Sequence, residues 1–248
     1  MDENAAATGS NEPQVTAGSG RRATIEIAIG YLLILSVIWT PRPLQRILWV
    51  VAAAGVAIIL WRSFEGWRAM GFATANFSRS LWIVGAAAAI SAVAIVISIR
   101  LQALHLPGGG PVVFAGTYLA YAIWTCVQQF LLQGFFLLRL LHVVRRPAIA
   151  ALAAAGLFAA AHLPNPVLTP ITLIWGLAAC LLFLRYRSIY PLMLAHAILG
   201  ITVAITVPGP VDHNMRVGLG YLTYQHHAHS HRRELRKTSR PGFLRIEI

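Results

Sequence analysis

Between Glu65 and Asp212 the chain carries no aspartate or glutamate, and its only charges there are arginines that punctuate long apolar runs. Residues 80–99, 101–138, 147–184 and 188–211 contain no Asp, Glu, Lys or Arg at all, and 27–41 and 47–61 add two shorter runs. About 20 apolar residues suffice for a helical membrane span. In hydrocarbon every backbone N–H and C=O must be paired within the segment, which leaves helices as the solution for single runs of this kind. The expected fold class is therefore all-α, a polytopic transmembrane helical bundle. Composition agrees: 57% of residues are hydrophobic and 11% charged, against about 25% charged in soluble domains. The net charge of +12 is dispersed between apolar runs and follows no single face, so the bilayer is the expected partner and nucleic acid is not. Cys126 and Cys180 fall inside apolar runs, as small buried hydrophobes.

The run 147–184 is too long for one helix, and Leu163, Pro164, Asn165 and Pro166 break it into a helical hairpin. In the run 101–138, Pro107 to Pro111 form a turn, so that span is expected over about 114–141. About seven spans result. Trp39, Trp49, Trp61 and Trp82 sit at span ends, as an aromatic belt requires. Residues 1–22 read as a disordered leader, 23–110 as membrane helices with their connections, 111–207 as the membrane core, and 208–248 as a basic, His-rich tail. The connection 62–79 is expected to lie along the interface as a short amphipathic helix. With seven spans, Arg21, Arg22, Arg62, Arg68, Arg79, Arg139, Arg145, Arg146, Arg185 and Arg187 collect on one side, and Arg42, Arg46 and Arg100 on the other. That bias puts the N-terminus in the cytoplasm of a multi-pass cell-membrane protein, whereas the basic tail argues the other way.

Polar groups inside the spans are few: Gln128, Gln129 and Gln133 on the fourth, His162 at the end of the fifth, and His196 on the seventh. Such groups are costly in lipid and face a bundle interior or a wet cavity, so they form the candidate site. Gln129 and Gln133 are four apart and share a helix face, with Trp124 one turn before Gln128; Phe158 precedes His162 by the same interval.

Three segments, Gln128-Gln129-Phe130-Leu131-Leu132-Gln133-Gly134, then Phe158 to His162, then His196 to Gly200, resemble the ordered motifs of the CPBP family (CAAX prenyl endopeptidase and bacteriocin-processing intramembrane proteases). That family reads Glu-Glu-x-x-x-Arg, Phe-x-x-x-His and His-x-x-x-Asn or Asp. The resemblance spans about 110–207 and implies hydrolysis of peptide bonds in a membrane-associated peptide or lipid-anchored protein. It places His162, His196, Gln128 and Gln129 in catalytic positions, with Gln133, Phe158 and Trp124 contacting substrate. Four polar positions depart from the pattern: Gln128, Gln129 and Gln133 replace two glutamates and an arginine, and Gly200 replaces the Asn or Asp.

An amide cannot accept the proton that a motif glutamate would take, a general-base contribution of roughly 10² to 10⁴ in rate. Two anions and one cation are replaced together by neutral amides, which leaves no stranded charge in low dielectric. Two readings follow. Either His162 or His196 serves as base while glutamine amides polarise the carbonyl, or the cavity binds a client without cutting it, as a catalytically impaired binding or immunity protein would. A small transporter ranks last, for want of internal repeats. The metal ligand set and the cofactor are unknown: a divalent metal is disfavoured, because a catalytic zinc takes three protein ligands and only two histidines lie on the spans. Asp212, just past the seventh span, is the nearest acid that could reach the cavity mouth, and His226 to His231 read as solvated tail.

Overall fold

A computed structural model describes residues 17–106 and 110–224; residues 1–16 of the leader, 107–109, and 225–248 of the tail, with His226 to His231, lie outside the described residues. Among the described residues the architecture is helical: α1 (Ala17–Ile38), α2 (Leu44–Arg62), the short α3 (Phe77–Ser80), α4 (Trp82–Arg100), α5 (Gly110–Phe130), a π-helical segment (Leu131–Leu137), α6 (Leu138–Val143), α7 (Pro147–Ala160), α8 (Leu168–Tyr186), α9 (Tyr190–Thr206) and α10 (Gly209–Asp212). Four stretches are long and apolar enough to cross a membrane, namely α2, α3 with α4, α5 through α6, and α8; α7 and α9 are apolar but shorter. Large apolar side chains stay exposed along them, including Val50, Ile90, Val93, Leu119 and Ile174, as helices facing lipid require.

The long helices alternate in direction, and polar contacts at their ends show it. At one end Arg22 Nη2 donates to Arg62 O (3.0 Å) and Trp82 Nε1 to Tyr186 Oη (3.2 Å); at the other His105 N donates to Ile205 O (3.0 Å) and Gly218 N to Leu163 O (2.8 Å). α7 packs on α8, α9 lies between α4 and α5, and α1 covers α2 and α6. Small residues make these approaches possible: Ala150, Ala151, Ala154 and Ala155 of α7 are fully buried, and a Cβ on Gly176 of α8 would already press on Ala155 at 3.3 Å.

The connection 63–76 differs from the expected amphipathic helix. Gly66 (φ +97°) and Gly71 (φ +89°) turn the chain there, Phe72 pairs with Ser188, and Gly71 O accepts from Ile189 N (2.9 Å). Glycines in left-handed geometry interrupt a helix, and Met70 between them is drawn into the core.

The π-helical segment is completely buried from Leu132 to Leu137. Arg139, 2% exposed, reaches back over it: Nη1 donates to Phe135 O (3.2 Å) and Gly134 O (3.4 Å). The same guanidinium donates Nε to Glu26 Oε2 (3.0 Å) and Nη2 to Ser63 Oγ (2.6 Å), and lies over the Phe135 ring at 4.3 Å. Glu26 also takes Arg22 Nε on its other oxygen (2.9 Å). Thus one buried cation ties α1, α2 and the π-segment together. Arg139→Met should destabilise the protein by about 3–5 kcal/mol, read as a lower unfolding midpoint in detergent, while exposed Arg22→Ala should cost under about 1 kcal/mol.

Candidate functional site

Helical periodicity brings Gln129 and Gln133 onto one face of α5 and the π-segment, and both are fully buried. Gln129 Nε2 donates to Gln133 Oε1 at 2.8 Å. The oxygen of Gln129 is taken by α8, where Trp175 Nε1 donates to it at 3.1 Å. An amide has one accepting and one donating end, so the indole fixes which way Gln129 points, and Gln129 in turn fixes Gln133. The remaining nitrogen, Gln133 Nε2, has no hydrogen-bond partner among the described residues.

Trp175 carries the network to α9. Its ring lies 5.8 Å from the His196 imidazole, which stands edge-on to Phe158 of α7 at 5.9 Å. Phe158 also meets the His162 ring, at 4.8 Å and an interplanar angle of 70°. Both imidazoles therefore share one phenyl ring, and Gln133, Gln129, Trp175, His196, Phe158 and His162 form one continuous set of contacts across four helices and the turn after α7. His196 is buried with Nδ1 unpartnered among the described residues. His162 Nδ1 lies 2.7 Å from Phe158 O. A carbonyl oxygen only accepts, so in the neutral ring Nδ1 carries the proton and Nε2 presents a lone pair.

Two of the sequence-derived candidates stand apart. Gln128 is half-buried, one residue round the helix from the amide chain. Trp124 is 38% exposed and meets Trp49 of α2 at a tilt of 60°, with ring centroids 5.2 Å apart. Trp175, by contrast, is a site residue that sequence reasoning passed over. Its signal was its depth: a tryptophan in mid-span is not at an interface, and its N–H must find an acceptor inside the bundle.

Asn165 anchors the His162 end. It is fully buried; its Oδ1 accepts from Val167 N (3.0 Å) and Leu168 N (2.9 Å), starting α8, while its Nδ2 donates to Asp212 O (2.6 Å) and Arg216 O (3.0 Å). The segment after α9 is thereby held against the turn that carries His162. Burial pushes the Asp212 carboxyl above the usual carboxylate range, and its Oδ1 accepts from Asn214 N at 2.9 Å. Hollows of about 520 and 230 Å³ open at the opposite end of the bundle, around Arg22 and Glu26.

The donor set does not suit a metal. Among the described residues no three His, Cys, Asp or Glu side chains converge, whereas a catalytic zinc takes three protein ligands. What the arrangement offers is a lone pair on His162 and an unpaired amide N–H on Gln133, in low dielectric. Gln129→Leu should cost about 2–3 kcal/mol because it strands the Trp175 N–H, whereas Gln133→Leu, which removes an amide already half unpaired, should cost about 1 kcal/mol or less. Unfolding midpoints of the two variants in one detergent check the ranking.

Residues 119–202 match the family model for type II CAAX prenyl endopeptidase Rce1-like proteins. Neither the curated proteins nor the solved structures compared give a match. The matched segment contains the amide pair, Phe158 with His162, Trp175 and His196, in the motif order described above. Over residues 119–202, about a third of its length, this helical membrane chain is thus similar to the CAAX prenyl endopeptidase-like proteins of the CPBP family.

Proposed function

We propose that the chain is an intramembrane endopeptidase that hydrolyses a peptide bond in a membrane-associated peptide or lipid-anchored protein, with His162 as the base. The supporting observation is the joined set of groups on α5, α7, α8 and α9 that leaves Gln133 Nε2 and His196 Nδ1 without partners among the described residues. A buried unpaired amide costs roughly 1–3 kcal/mol, so the site gains by receiving a hydrogen-bond acceptor such as a peptide carbonyl.

In this reading His162 Nε2 takes a proton from water as the oxygen attacks the carbonyl carbon. The oxyanion that forms accepts from Gln133 Nε2, and His162 returns the proton to the leaving nitrogen as the C–N bond breaks. Phe158 holds both rings in place through its faces and its carbonyl. Trp175 keeps the amides oriented for the carbonyl, and lipid excludes competing water. The arginine-rich end, with Arg22, Arg62, Arg139 and Arg146, faces the cytoplasm of the cell membrane in this proposal, and the N-terminus with it.

A second reading is favoured by one specific observation: among the described residues no carboxylate joins the amide and imidazole group, and Gln129 is engaged at both ends. Such a neutral site suits a receptor that binds a peptide without cutting it. The two are separated by purified protein in nanodiscs, presented with membrane-anchored peptides. The hydrolase reading predicts cleavage that falls by about 10²-fold or more in His162→Ala and falls also in His196→Ala. Peptide binding retained in all three proteins, with no product from any of them, contradicts hydrolysis and leaves the receptor.

A further inference from the structure

Tyr121 is assigned no part in the site by its motifs, yet its hydroxyl lies where a side chain from α9 would otherwise be. Gly200 follows His196 by one helical turn and is buried. Side chains on a helix lean toward its N-terminus, so the space beside Gly200 borders His196. That space is filled from α5. A Cβ built on Gly200 would come 2.9 and 3.0 Å from Tyr121 Cε1 and Cζ, and closer still to the hydroxyl oxygen.

The origin of the phenol is equally specific. Tyr121, Thr125, Gln129 and Gln133 recur at every fourth residue, which aligns them along one side of α5 and the π-segment, and α5 packs on α9. Thr125 is buried and spends its hydroxyl on Ala122 O (2.8 Å). The Tyr121 hydroxyl has no hydrogen-bond partner among the described residues, although the residue is half-buried. A tyrosine that served packing alone would be served better by phenylalanine, because an unpaired phenol oxygen in a membrane interior is a cost without return.

We propose that Tyr121 is a substrate-facing hydrogen-bond donor of this site, its hydroxyl placed beside His196 by the missing side chain at Gly200. Its ligand is an acceptor oxygen of the bound peptide, a backbone carbonyl other than the one that Gln133 receives. The proposal rests on the reading of the site as one that receives a peptide. It adds to Gln133 a second neutral donor, delivered from the same helix a little over three turns earlier, about 18 Å along the axis, so that the two serve different oxygens of the peptide.

The test uses the full chain in nanodiscs. Tyr121→Phe removes one oxygen and should lower kcat by about tenfold or more with KM changed by less than about threefold. Moving the polar group to the facing helix, in Tyr121→Ala with Gly200→Asn, should recover kcat to within about fivefold of the starting protein. The pair Tyr121→Ala with Gly200→Ala, which refills space without polarity, should stay as low as Tyr121→Ala alone. Unchanged kcat in Tyr121→Phe, or equal recovery by both double variants, overturns the proposal. Should the unaltered protein bind membrane peptides without cutting them, hydrolysis fails separately, and the same series is read as Kd, with about tenfold weakening expected for Tyr121→Phe and none contradicting it. If it neither cuts nor binds, the ¹⁹F resonance of 3-fluorotyrosine placed at position 121 decides: a shift on His196→Ala supports the placement beside His196, and an unmoved resonance overturns it.

Discussion

An indole N–H in the middle of a membrane helix has no water to bond, and Trp175 meets that need with Gln129 on the neighbouring helix. Much follows from this one bond. It sets the register of α8 against α5, and it commits the carbonyl end of Gln129, so that the amide's nitrogen must turn to Gln133. The acceptor of Gln133 is then used and its donor left over. The free N–H of the site is thus the end of a chain of dependencies that starts from a tryptophan. On its other side the same indole backs His196, which shares Phe158 with His162.

Charge is handled at a different place and by different means. Arg139, Glu26, Arg22 and Ser63 form a network at one end of the bundle, where the guanidinium also satisfies the carbonyls of the π-segment. Among the described residues the polar site on α5, α7, α8 and α9 is built from amides, imidazoles and an indole, with no carboxylate or guanidinium joined to it. Neutral amides can be buried in such a place at the cost of one or two hydrogen bonds, whereas a carboxylate or guanidinium would need a full counter-charge and solvation. Three glutamines, where the family the chain resembles carries two glutamates and an arginine, are coherent with that division. They preserve hydrogen bonding in the interior while ion pairing stays at the α1, α2 and α6 end.

The apolar runs foretold the helical bundle, because the bilayer leaves few alternatives once charge is absent. Leu163 to Pro166 marked the break between α7 and α8 for the same reason: prolines remove donors that a helix needs. The spacing of Gln129 and Gln133 foretold their contact, since four residues is one turn. Other features depended on partners far away in sequence. That Trp175 would face Gln129, that Gly200 would admit Tyr121, and that Trp124 would pair with Trp49 are facts of helix-to-helix register, which no single run encodes. Nor did the connection 63–76 reveal its turns until Gly66 and Gly71 were seen in left-handed geometry.

The convergence of these helices on one buried polar group is tested most directly at the Trp175 indole proton. In protein labelled with ¹⁵N-tryptophan, the account predicts an indole resonance that resists exchange with solvent and moves upfield in proton shift when Gln129→Leu removes its acceptor. A Trp175 resonance that exchanges freely and does not respond to Gln129→Leu would contradict it.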